Sequence, residues 1–315
     1  MKNLLILTLI SALIISLVPP LTYGPLTDKS DIGNHGTGET IRVFLASENT
    51  AVDMDFREYI TGVVAAEMPA EFHEEALSAA ACAAATLARL KMQSEGEDSL
   101  QGAVISTDPK KHQAYITKEE MKERWNGDEK AYYEKLSRAV DKAIDYSITY
   151  KGKLITPVYH SMSTGLTENA ENVWGSAVPY LVSVKSPGDP LSPGYEATIT
   201  LSFDEFREKA EENGAVLSDD ITLWLGKCSY TDAGTLKSIN IGGKDFSGAE
   251  IRSIFSLRSG AVTFAMTKDG VSMTTRGYGH GAGLSQYGAN YLAKEGYTWQ
   301  EIIKHYYTGV EIEII

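Results

Sequence analysis

The sequence contains few cysteines and too little positive charge for several classes of function. Its two cysteines, Cys82 and Cys228, cannot form a disulfide framework or a zinc ribbon made of cysteines. Lysine and arginine number 29 against 42 aspartates and glutamates, which gives a net charge of −13. Because a nucleic-acid-binding surface needs clustered positive charge, we do not expect nucleic acid as a partner. No internal repeat is visible.

The composition is that of an ordinary globular protein, with 43% hydrophobic and 23% charged residues. A single hydrophobic core stops growing at about 250–300 residues. A chain of 315 residues is therefore expected to form one large domain or two closely packed ones.

The first 24 residues are typical of a targeting segment. An uncharged run follows Lys2 and extends from Leu4 to Val18. As a helix it would be about 22 Å long, shorter than the ~30 Å hydrocarbon core of a membrane. Residues 1–24 are therefore predicted to be a signal peptide, and a membrane anchor is the alternative. Either places the rest of the chain outside the cytoplasm, secreted or anchored to the cell membrane. Residues 25–39 are polar and glycine-rich, so we predict a flexible linker there.

Residues 40–315 are predicted to form an α+β domain. Helices and strand hairpins alternate in blocks rather than as βαβ units, so the strands should be mixed but largely antiparallel, with helices packed on them. Pro69 should end the first helix near Glu67 because it disfavours helical backbone at the preceding residue. The predicted elements include a strand at 40–46, helices at 56–66, 74–92 and 118–145, hairpins at 146–150 with 154–160 and at 262–266 with 271–275, and a strand at 310–314. Two short helices are predicted between residues 186 and 260, one capped at Ser202 and one starting at Ser247, and the turn of the second hairpin is predicted at Lys268-Asp269-Gly270.

Glu67 is the clearest candidate for a catalytic residue. It lies at the C-terminal end of an otherwise apolar helix. Desolvation and the negative end of the helix dipole should both raise its pKa. A carboxyl group that stays protonated near neutral pH suits cleavage of a glycosidic bond, because the leaving alkoxide must be protonated. The alternative is that Glu67 simply faces solvent.

A second candidate region follows a predicted strand end. His160 and its hydroxyl neighbours have the groups to bind sugar hydroxyls and acetamido groups, and Trp174 offers an apolar face to a sugar ring. Core packing is the alternative for Trp174. His160 and Ser161 are adjacent on a strand and point to opposite faces, so they do not suit a nucleophile and its base.

A glycine-rich loop at residues 276–286 opens a helix and superficially resembles a dinucleotide-binding loop. Too little chain follows Gly283 to complete such a fold. The glycines instead indicate a close approach of the backbone to a ligand or a packed neighbour, with His280 and Gln286 at one surface. His112, His160 and His280 have no local metal-ligand spacing, so we expect no metal and no cofactor.

These segments together resemble the SpoIID family (stage II sporulation protein D), which includes the amidase enhancer domain. The resemblance covers residues 40–315 in the family's order. It is carried by Val63 to Pro69 with Glu75-Ala76-Leu77, Tyr159-His160-Ser161, Thr167-Glu168-Asn169, Val173-Trp174-Gly175, Pro179-Tyr180-Leu181, Ser183-Val184, Ser186 to Asp189, Gly277 to Gly281, Ser285 to Ala289 and His305 to Gly309.

The resemblance implies a lytic transglycosylase that acts on peptidoglycan during forespore engulfment. Such an enzyme cuts between N-acetylmuramic acid and N-acetylglucosamine and leaves 1,6-anhydro ends. Glu67 falls on the family's catalytic glutamate, and a glycan-binding cleft is expected. A non-catalytic glycan-binding amidase enhancer and a glycoside hydrolase are the alternatives. The implied partners are peptidoglycan glycan strands, a cell-wall amidase (stage II sporulation protein P) and a membrane partner (stage II sporulation protein M). The predicted substrate-binding residues are Tyr159, His160, Ser161, Ser163, Thr167, His280, Gln286 and Tyr287.

Two departures from the family pattern affect these expectations. A lysine and an arginine common in the family are replaced by Ser78 and Ala85, which suggests altered specificity, weak activity or compensation by a residue such as Arg89. Many relatives also carry a Cys-x-x-x-His-Cys segment able to hold zinc. The corresponding residues 106–115 contain His112 and no cysteine, so no metal is predicted.

Overall fold

The computed structural model describes residues 38–315 apart from residue 126. The predicted signal peptide or anchor and the linker up to residue 37 lie outside the described residues. Among the helices that are described, none has the length and apolar character needed to span a membrane.

The described residues form small sheets and helices, which confirms the α+β prediction. Each sheet has two or three strands, and most of the pairing is antiparallel. The strands are β1 (Thr40–Leu45), β2 (Thr50–Asp55), β3 (Ile105–Ser106), β4 (Tyr146–Tyr150), β5 (Lys153–Leu154), β6 (Tyr159–His160), β7 (Glu196–Leu201), β8 (Leu225–Tyr230), β9 (Leu236–Ile241), β10 (Lys244–Ser247), β11 (Val262–Met266), β12 (Val271–Arg276), β13 (Leu284–Ser285) and β14 (Glu311–Ile314). The α-helices are α1 (Phe56–Glu67), α2 (Glu74–Met92), α3 (Lys118–Trp125), α4 (Glu129–Ala143), α5 (Ala170–Trp174), α6 (Phe203–Glu212), α7 (Gly248–Ile254), α8 (Gln286–Lys294) and α9 (Trp299–Tyr306).

The described chain divides into two compact units. The helical unit contains residues 38–158 and Ala289–Ile315. The strand-rich unit contains Tyr159–Gly288.

In the helical unit, α2 is the central element and packs against α1, α4, α9 and β4. Its alanines permit this close packing because their side chains are small, and Ala79, Ala81 and Ala83 are fully buried. Side chains of α4 hold the segment that joins α1 to α2. Lys135 Nζ donates to Phe72 O at 3.1 Å, and Arg138 pairs with Glu74 at 3.2 Å.

The strand-rich unit has its own aromatic core between two three-stranded sheets and the helices α6 and α7. Phe206 stacks on Phe255 with ring centroids 5.0 Å apart, and Trp224 is 1% exposed. The predicted helix starts at Ser202 and Ser247 are confirmed, since each serine forms a reciprocal capping box with the glutamate three residues later.

Two predicted elements were wrong in extent. The single helix predicted over 118–145 is two helices, because Gly127 takes a positive φ of 103° that interrupts the helical backbone. The strand predicted over 154–160 is interrupted by Pro157, which lacks an N–H for a ladder. Its first part is β5, and its last part is β6, which pairs in parallel with β13.

The hairpin turn predicted at Lys268-Asp269-Gly270 is confirmed between β11 and β12. Gly270 has φ of 146°, and a Cβ added there would overlap the Leu201 carbonyl oxygen. Gly234, in the same unit, also has a positive φ of 81° but faces open space.

We therefore expect Gly270→Ala to destabilise the protein more than Gly234→Ala. Positive φ alone should cost about 1 kcal/mol at either site, and the steric overlap at Gly270 should add about 1–3 kcal/mol. Urea unfolding followed by tryptophan fluorescence measures both changes. Equal losses for the two variants would contradict the close approach at Gly270.

Candidate active site

Glu67 is the last residue of α1, as predicted from Pro69. The next residue, Met68, has extended backbone with φ of −114° and ψ of 137°, and its N–H donates to Val64 O at 2.9 Å. The last turn before Glu67 is apolar and buried, since Val63, Val64 and Ala65 are each 1% exposed. Glu67 itself is half-buried.

The Glu67 carboxylate accepts a hydrogen bond from another segment of the helical unit. The Ala114 N–H donates to Glu67 Oε1 at 3.2 Å. Residues 113–116 reach this position because they lie directly against α1 at Gly62. The Tyr115 ring occupies the space of a Cβ at Gly62, and the Ile116 N–H donates to Gly62 O at 3.2 Å.

A buried phenol lies close enough to Glu67 for the two groups to interact electrostatically. Burial raises the pKa of Tyr59 above its usual value, and the negative charge of Glu67 raises it further. The Tyr59 hydroxyl donates to Gln113 Oε1 at 3.2 Å, and its ring stacks on Tyr115 with centroids 5.9 Å apart. Tyr59 therefore stays neutral and helps to hold residues 113–116 against α1.

Arg124 in α3 supplies positive charge at this end of α1. Its Nη1 donates to Ala65 O at 2.7 Å and to Ala66 O at 3.4 Å. Burial lowers the pKa of the Arg124 guanidinium, and the negative charges of Glu120 and Glu67 act in the opposite direction. Arg124 could not be identified from the sequence, because no motif or local spacing connects it with Glu67.

Arg89 is engaged elsewhere in the helical unit. It is 5% exposed, and its Nη1 donates to Tyr146 O and to Ser147 Oγ, both at 3.1 Å. Its guanidinium carbon also lies 4.9 Å from the centroid of the Phe56 ring. These contacts do not support the suggestion that Arg89 compensates for missing cations beside Glu67.

In the strand-rich unit, His160 and His280 lie close together with defined tautomers. The Ala282 N–H donates to His280 Nδ1 at 3.1 Å, so His280 Nε2 carries the proton that it donates to Tyr159 O at 3.1 Å. His160 Nδ1 donates to Ala282 O at 3.1 Å, which leaves its buried Nε2 as an acceptor without a partner in the described residues. The ring centroids are 5.6 Å apart, and Trp174 lies 5.1 Å from His280.

The glycines of the loop at 276–286 approach a packed neighbour, one of the two predicted possibilities. A Cβ at Gly277 would lie 2.6 Å from Met162 O, and one at Gly279 would lie 2.8 Å from His160 Cβ. Both glycines have positive φ, at 71° and 112°. They therefore allow the loop to lie against the strand end that carries His160.

A buried carboxylate, Asp189, connects these loops. It is fully buried and accepts hydrogen bonds of 2.6 Å each from Ser163 N, Ser163 Oγ and Ser285 Oγ. Burial raises the pKa of Asp189, and the hydrogen bonds from Ser163 and Ser285 partly oppose that shift. Asp189 was noted only as part of a motif, because its partners lie far away in the sequence.

The eight predicted binding residues all belong to the strand-rich unit, whereas Glu67 belongs to the helical unit. Several of them serve the packing of the loops: Ser163 Oγ donates to Asp189, and Thr167 Oγ1 accepts from Val184 N at 2.9 Å. The half-buried residues are His280, Tyr287 and the neighbouring Trp174. The buried ones are Tyr159, His160, Ser161, Ser163, Thr167 and Gln286.

Comparison with known proteins agrees with the resemblance noted from the sequence. The profile of a family described as "Stage II sporulation protein" (SpoIID) matches residues 46–150. The chain is 38% identical over 275 residues to stage II sporulation protein D of Bacillus amyloliquefaciens and to that of Bacillus subtilis (strain 168), covering 87% of this chain and 78% of each relative. The chain belongs to the SpoIID family. It is also 27% identical over 303 residues to the amidase enhancer of Bacillus subtilis (strain 168), covering 80% of this chain and 40% of that protein.

Within the SpoIID family, the residues that replace the usual lysine and arginine are buried here. Ser78 and Ala85 both lie on α2 and are fully buried. Neither can supply charge, so the cation described beside Glu67 comes from α3 rather than from these positions.

His112, in the segment at residues 106–115, has a hydrogen-bond partner within the protein. His112 Nδ1 accepts the Ser106 N–H at 3.2 Å, and burial lowers the His112 pKa to about 4. Across residues 38–315, leaving out 126, no three or more His, Cys, Asp and Glu side chains are grouped so that they could hold a metal. The segment 106–116 is instead held by its own hydrogen bonds and by its packing on Gly62.

We expect Gly62→Ala to destabilise the protein, against the usual effect of alanine in a helix. Helix propensity alone would favour alanine by about 1 kcal/mol. Because a Cβ at Gly62 would overlap the Tyr115 ring and lie 2.8 Å from Ile116 O, a net loss of about 1–3 kcal/mol is expected. Urea unfolding measures the change. Ala66→Gly on the same helix is the control, with a loss of about 1 kcal/mol from propensity. A gain in stability for Gly62→Ala would rule out the close approach.

We also expect the two histidines of the strand-rich unit to make the fold sensitive to acid. Burial lowers the pKa of His160 to about 4 and that of His280 well below its usual value. The unfolded chain therefore binds protons below about pH 6.5 that the folded chain does not, and stability should fall as pH decreases from about 6.5 to 4.

The slope of unfolding free energy against pH, from urea unfolding at several pH values, tests this. The double variant His160→Gln/His280→Gln should show a shallower fall over that range than the unsubstituted protein. Comparing slopes separates protonation from any loss of packing. Identical slopes would show that these histidines do not contribute.

Proposed function

We propose that this protein is a peptidoglycan lytic transglycosylase in which Glu67 is the catalytic acid and base. The observation that supports this most directly is the placement of Glu67, a half-buried carboxylate at the end of a helix cut short before Pro69. It lies within the segment that matches the SpoIID profile. A hydrogen bond from Ala114 N fixes one carboxylate oxygen, so the side chain has a defined orientation for proton transfer.

In the proposed reaction, Glu67 donates its proton to the oxygen that bridges N-acetylmuramic acid and N-acetylglucosamine. The bond between that oxygen and the muramic acid C1 breaks, and the oxygen leaves as a hydroxyl on N-acetylglucosamine. The Glu67 carboxylate then takes the proton of the muramic acid C6 hydroxyl, whose oxygen bonds to C1 and closes the 1,6-anhydro ring. One carboxylate serves both steps, whereas ordinary glycosidases use two.

The eight predicted binding residues are proposed to contribute to glycan binding in two ways. His280, Tyr287 and the adjacent Trp174 are half-buried and therefore partly accessible to a sugar. The buried hydroxyls, such as those of Ser163 and Thr167, keep the surrounding loops in place through their hydrogen bonds. The cleft expected from the resemblance stays a prediction.

The relatives' names support a role in sporulation, and the predicted targeting segment at residues 1–24 supports a location outside the cytoplasm. Both relatives at 38% identity are stage II sporulation protein D. We propose that this chain acts during engulfment on glycan strands from which an amidase removes the stem peptides. The proposed protein partners are that amidase, stage II sporulation protein P, and the membrane protein stage II sporulation protein M.

A non-catalytic glycan-binding role as an amidase enhancer is the second candidate. Two observations favour it: the similarity to an amidase enhancer, and the replacement of two family cations by Ser78 and Ala85. The retained Glu67 and its defined surroundings favour the enzyme.

Incubation of the purified chain with peptide-free glycan strands, followed by mass spectrometry, tests the proposal. We expect products with 1,6-anhydro ends. Glu67→Gln should reduce the rate by about 10²–10⁴ or more while strand binding persists, because loss of general acid–base catalysis costs about that factor. Glu71→Gln, at an exposed glutamate four residues later, is the matched control and should leave the rate unchanged.

The other outcomes contradict the proposal in distinct ways. Products with water added at the reducing end would indicate a hydrolase. Strands that are bound but uncut would indicate the enhancer role. Full activity of Glu67→Gln would remove this residue from the mechanism.

A further inference from the structure

We propose that Arg124 is a positioning residue for Glu67, which fixes the last turn of α1 and places a positive charge beside the carboxylate. This rests on the proposed function, because Glu67 must be the proton donor for the charge to affect the reaction. Its two consequences, the geometry of the helix end and the charge on Glu67, are separable by experiment.

The hydrogen bonds of Arg124 act on the helix end that carries Glu67. The last four carbonyl groups of an α-helix have no partner within the helix. Arg124 Nη1 binds two of them, Ala65 O at 2.7 Å and Ala66 O at 3.4 Å, immediately before Glu67. These bonds hold the turn from which the Glu67 side chain projects.

Arg124 is itself held in place by its helix. The neighbouring side chains of Met121 and Trp125 on α3 are buried, at 3% and 8% exposure. Trp125 also packs edge-on against Tyr132 of α4, with ring centroids 5.9 Å apart. The Arg124 side chain is exposed. Its backbone belongs to an element packed into the helical unit, so the side chain reaches α1 from a fixed helix.

Groups from three elements act on Glu67. From α1 the buried Tyr59 is neutral, and from residues 113–116 the uncharged Ala114 N–H donates to the carboxylate. From α3, Arg124 acts on Glu67, and the negative charge of Glu120 acts on Arg124. Glu120 Oε2 also accepts from Thr117 N at 2.7 Å. The negative end of the α1 dipole opposes ionisation of Glu67, and the positive charge of Arg124 favours it.

The consequence is a specific effect on the pH dependence of cleavage. Because the acid form of Glu67 donates the proton, activity should fall on the alkaline side as Glu67 ionises. Removing the positive charge of Arg124 should make ionisation harder. The alkaline limb should then move to higher pH by about one unit, whereas damage to structure alone would lower the rate without moving the limb.

The test compares Arg124→Gln with Arg124→Lys, which keeps the charge, and with Lys122→Gln, an exposed cation of the same helix, as the control. Measuring kcat/KM on glycan strands at several pH values gives the pH at which activity falls on the alkaline side. A ¹³C NMR titration of the Glu67 carboxyl in the full chain gives its ionisation midpoint without any need for activity. Arg124→Gln should move the alkaline fall of kcat/KM and the Glu67 ionisation midpoint to higher pH. In Arg124→Lys both should lie within a few tenths of a pH unit of the unsubstituted protein. Lys122→Gln should change neither of these two values.

An unchanged midpoint in folded Arg124→Gln would overturn the proposal. If the unsubstituted protein does not cleave glycan, the proposed function fails, and the NMR titration still decides the role of Arg124. A second variant, Glu120→Gln, changes the charge near Arg124 without altering the guanidinium. The glutamine side chain keeps an acceptor for Thr117. It should move the Glu67 midpoint to lower pH, so an unmoved midpoint in this variant would also contradict the proposal.

Discussion

The structure around Glu67 depends on the forced end of α1. Pro69 disfavours helical backbone at Met68, so the helix stops with a carboxylate at its negative end and with carbonyl groups that its own turns cannot satisfy. Such an end is unfavourable unless other elements complete it. Two segments of the helical unit do so: Ala114 N binds the carboxylate, and Arg124 binds Ala65 O and Ala66 O. Pro69 therefore places the candidate acid, Glu67, at the helix end. It also leaves carbonyl groups there that other segments satisfy.

Gly62 also contributes to the surroundings of Glu67, although it has no reactive side chain. A side chain there would separate residues 113–116 from α1, and the Ala114 N–H would then be unable to reach Glu67. The strand-rich unit shows a parallel arrangement. Gly277 and Gly279 let one loop lie against the segment that carries His160, and Asp189 connects that segment to Ser285. In both units, small residues permit a contact and a buried polar group then fixes it.

Features that depend on neighbouring residues could be predicted from the sequence. The end of α1 at Glu67, the capping boxes at Ser202 and Ser247, and the turn at Gly270 each follow from local chemistry, and the structure has all of them. The parallel pairing of β6 with β13 could not be predicted, since it joins segments more than 120 residues apart that have only two residues each. Arg124 and Asp189 were missed for the same reason: their partners lie on other elements, and nothing in their local sequence indicates them.

The positive charge that acts on Glu67 comes from α3 and not from the positions of Ser78 and Ala85 on α2. Ser78 and Ala85 are at buried positions on α2, where a cation would need a partner of its own. Arg89 is hydrogen-bonded to Tyr146 and Ser147. An arginine that reaches α1 from α3 has partners there, because the unsatisfied carbonyl groups of the helix end accept hydrogen bonds from its donors. A charge at this place therefore does not need the usual family positions. The replacement of those two cations is for that reason a weaker argument against catalysis than the sequence alone suggests, and the surroundings of Glu67 carry more weight in deciding between an enzyme and a binding protein.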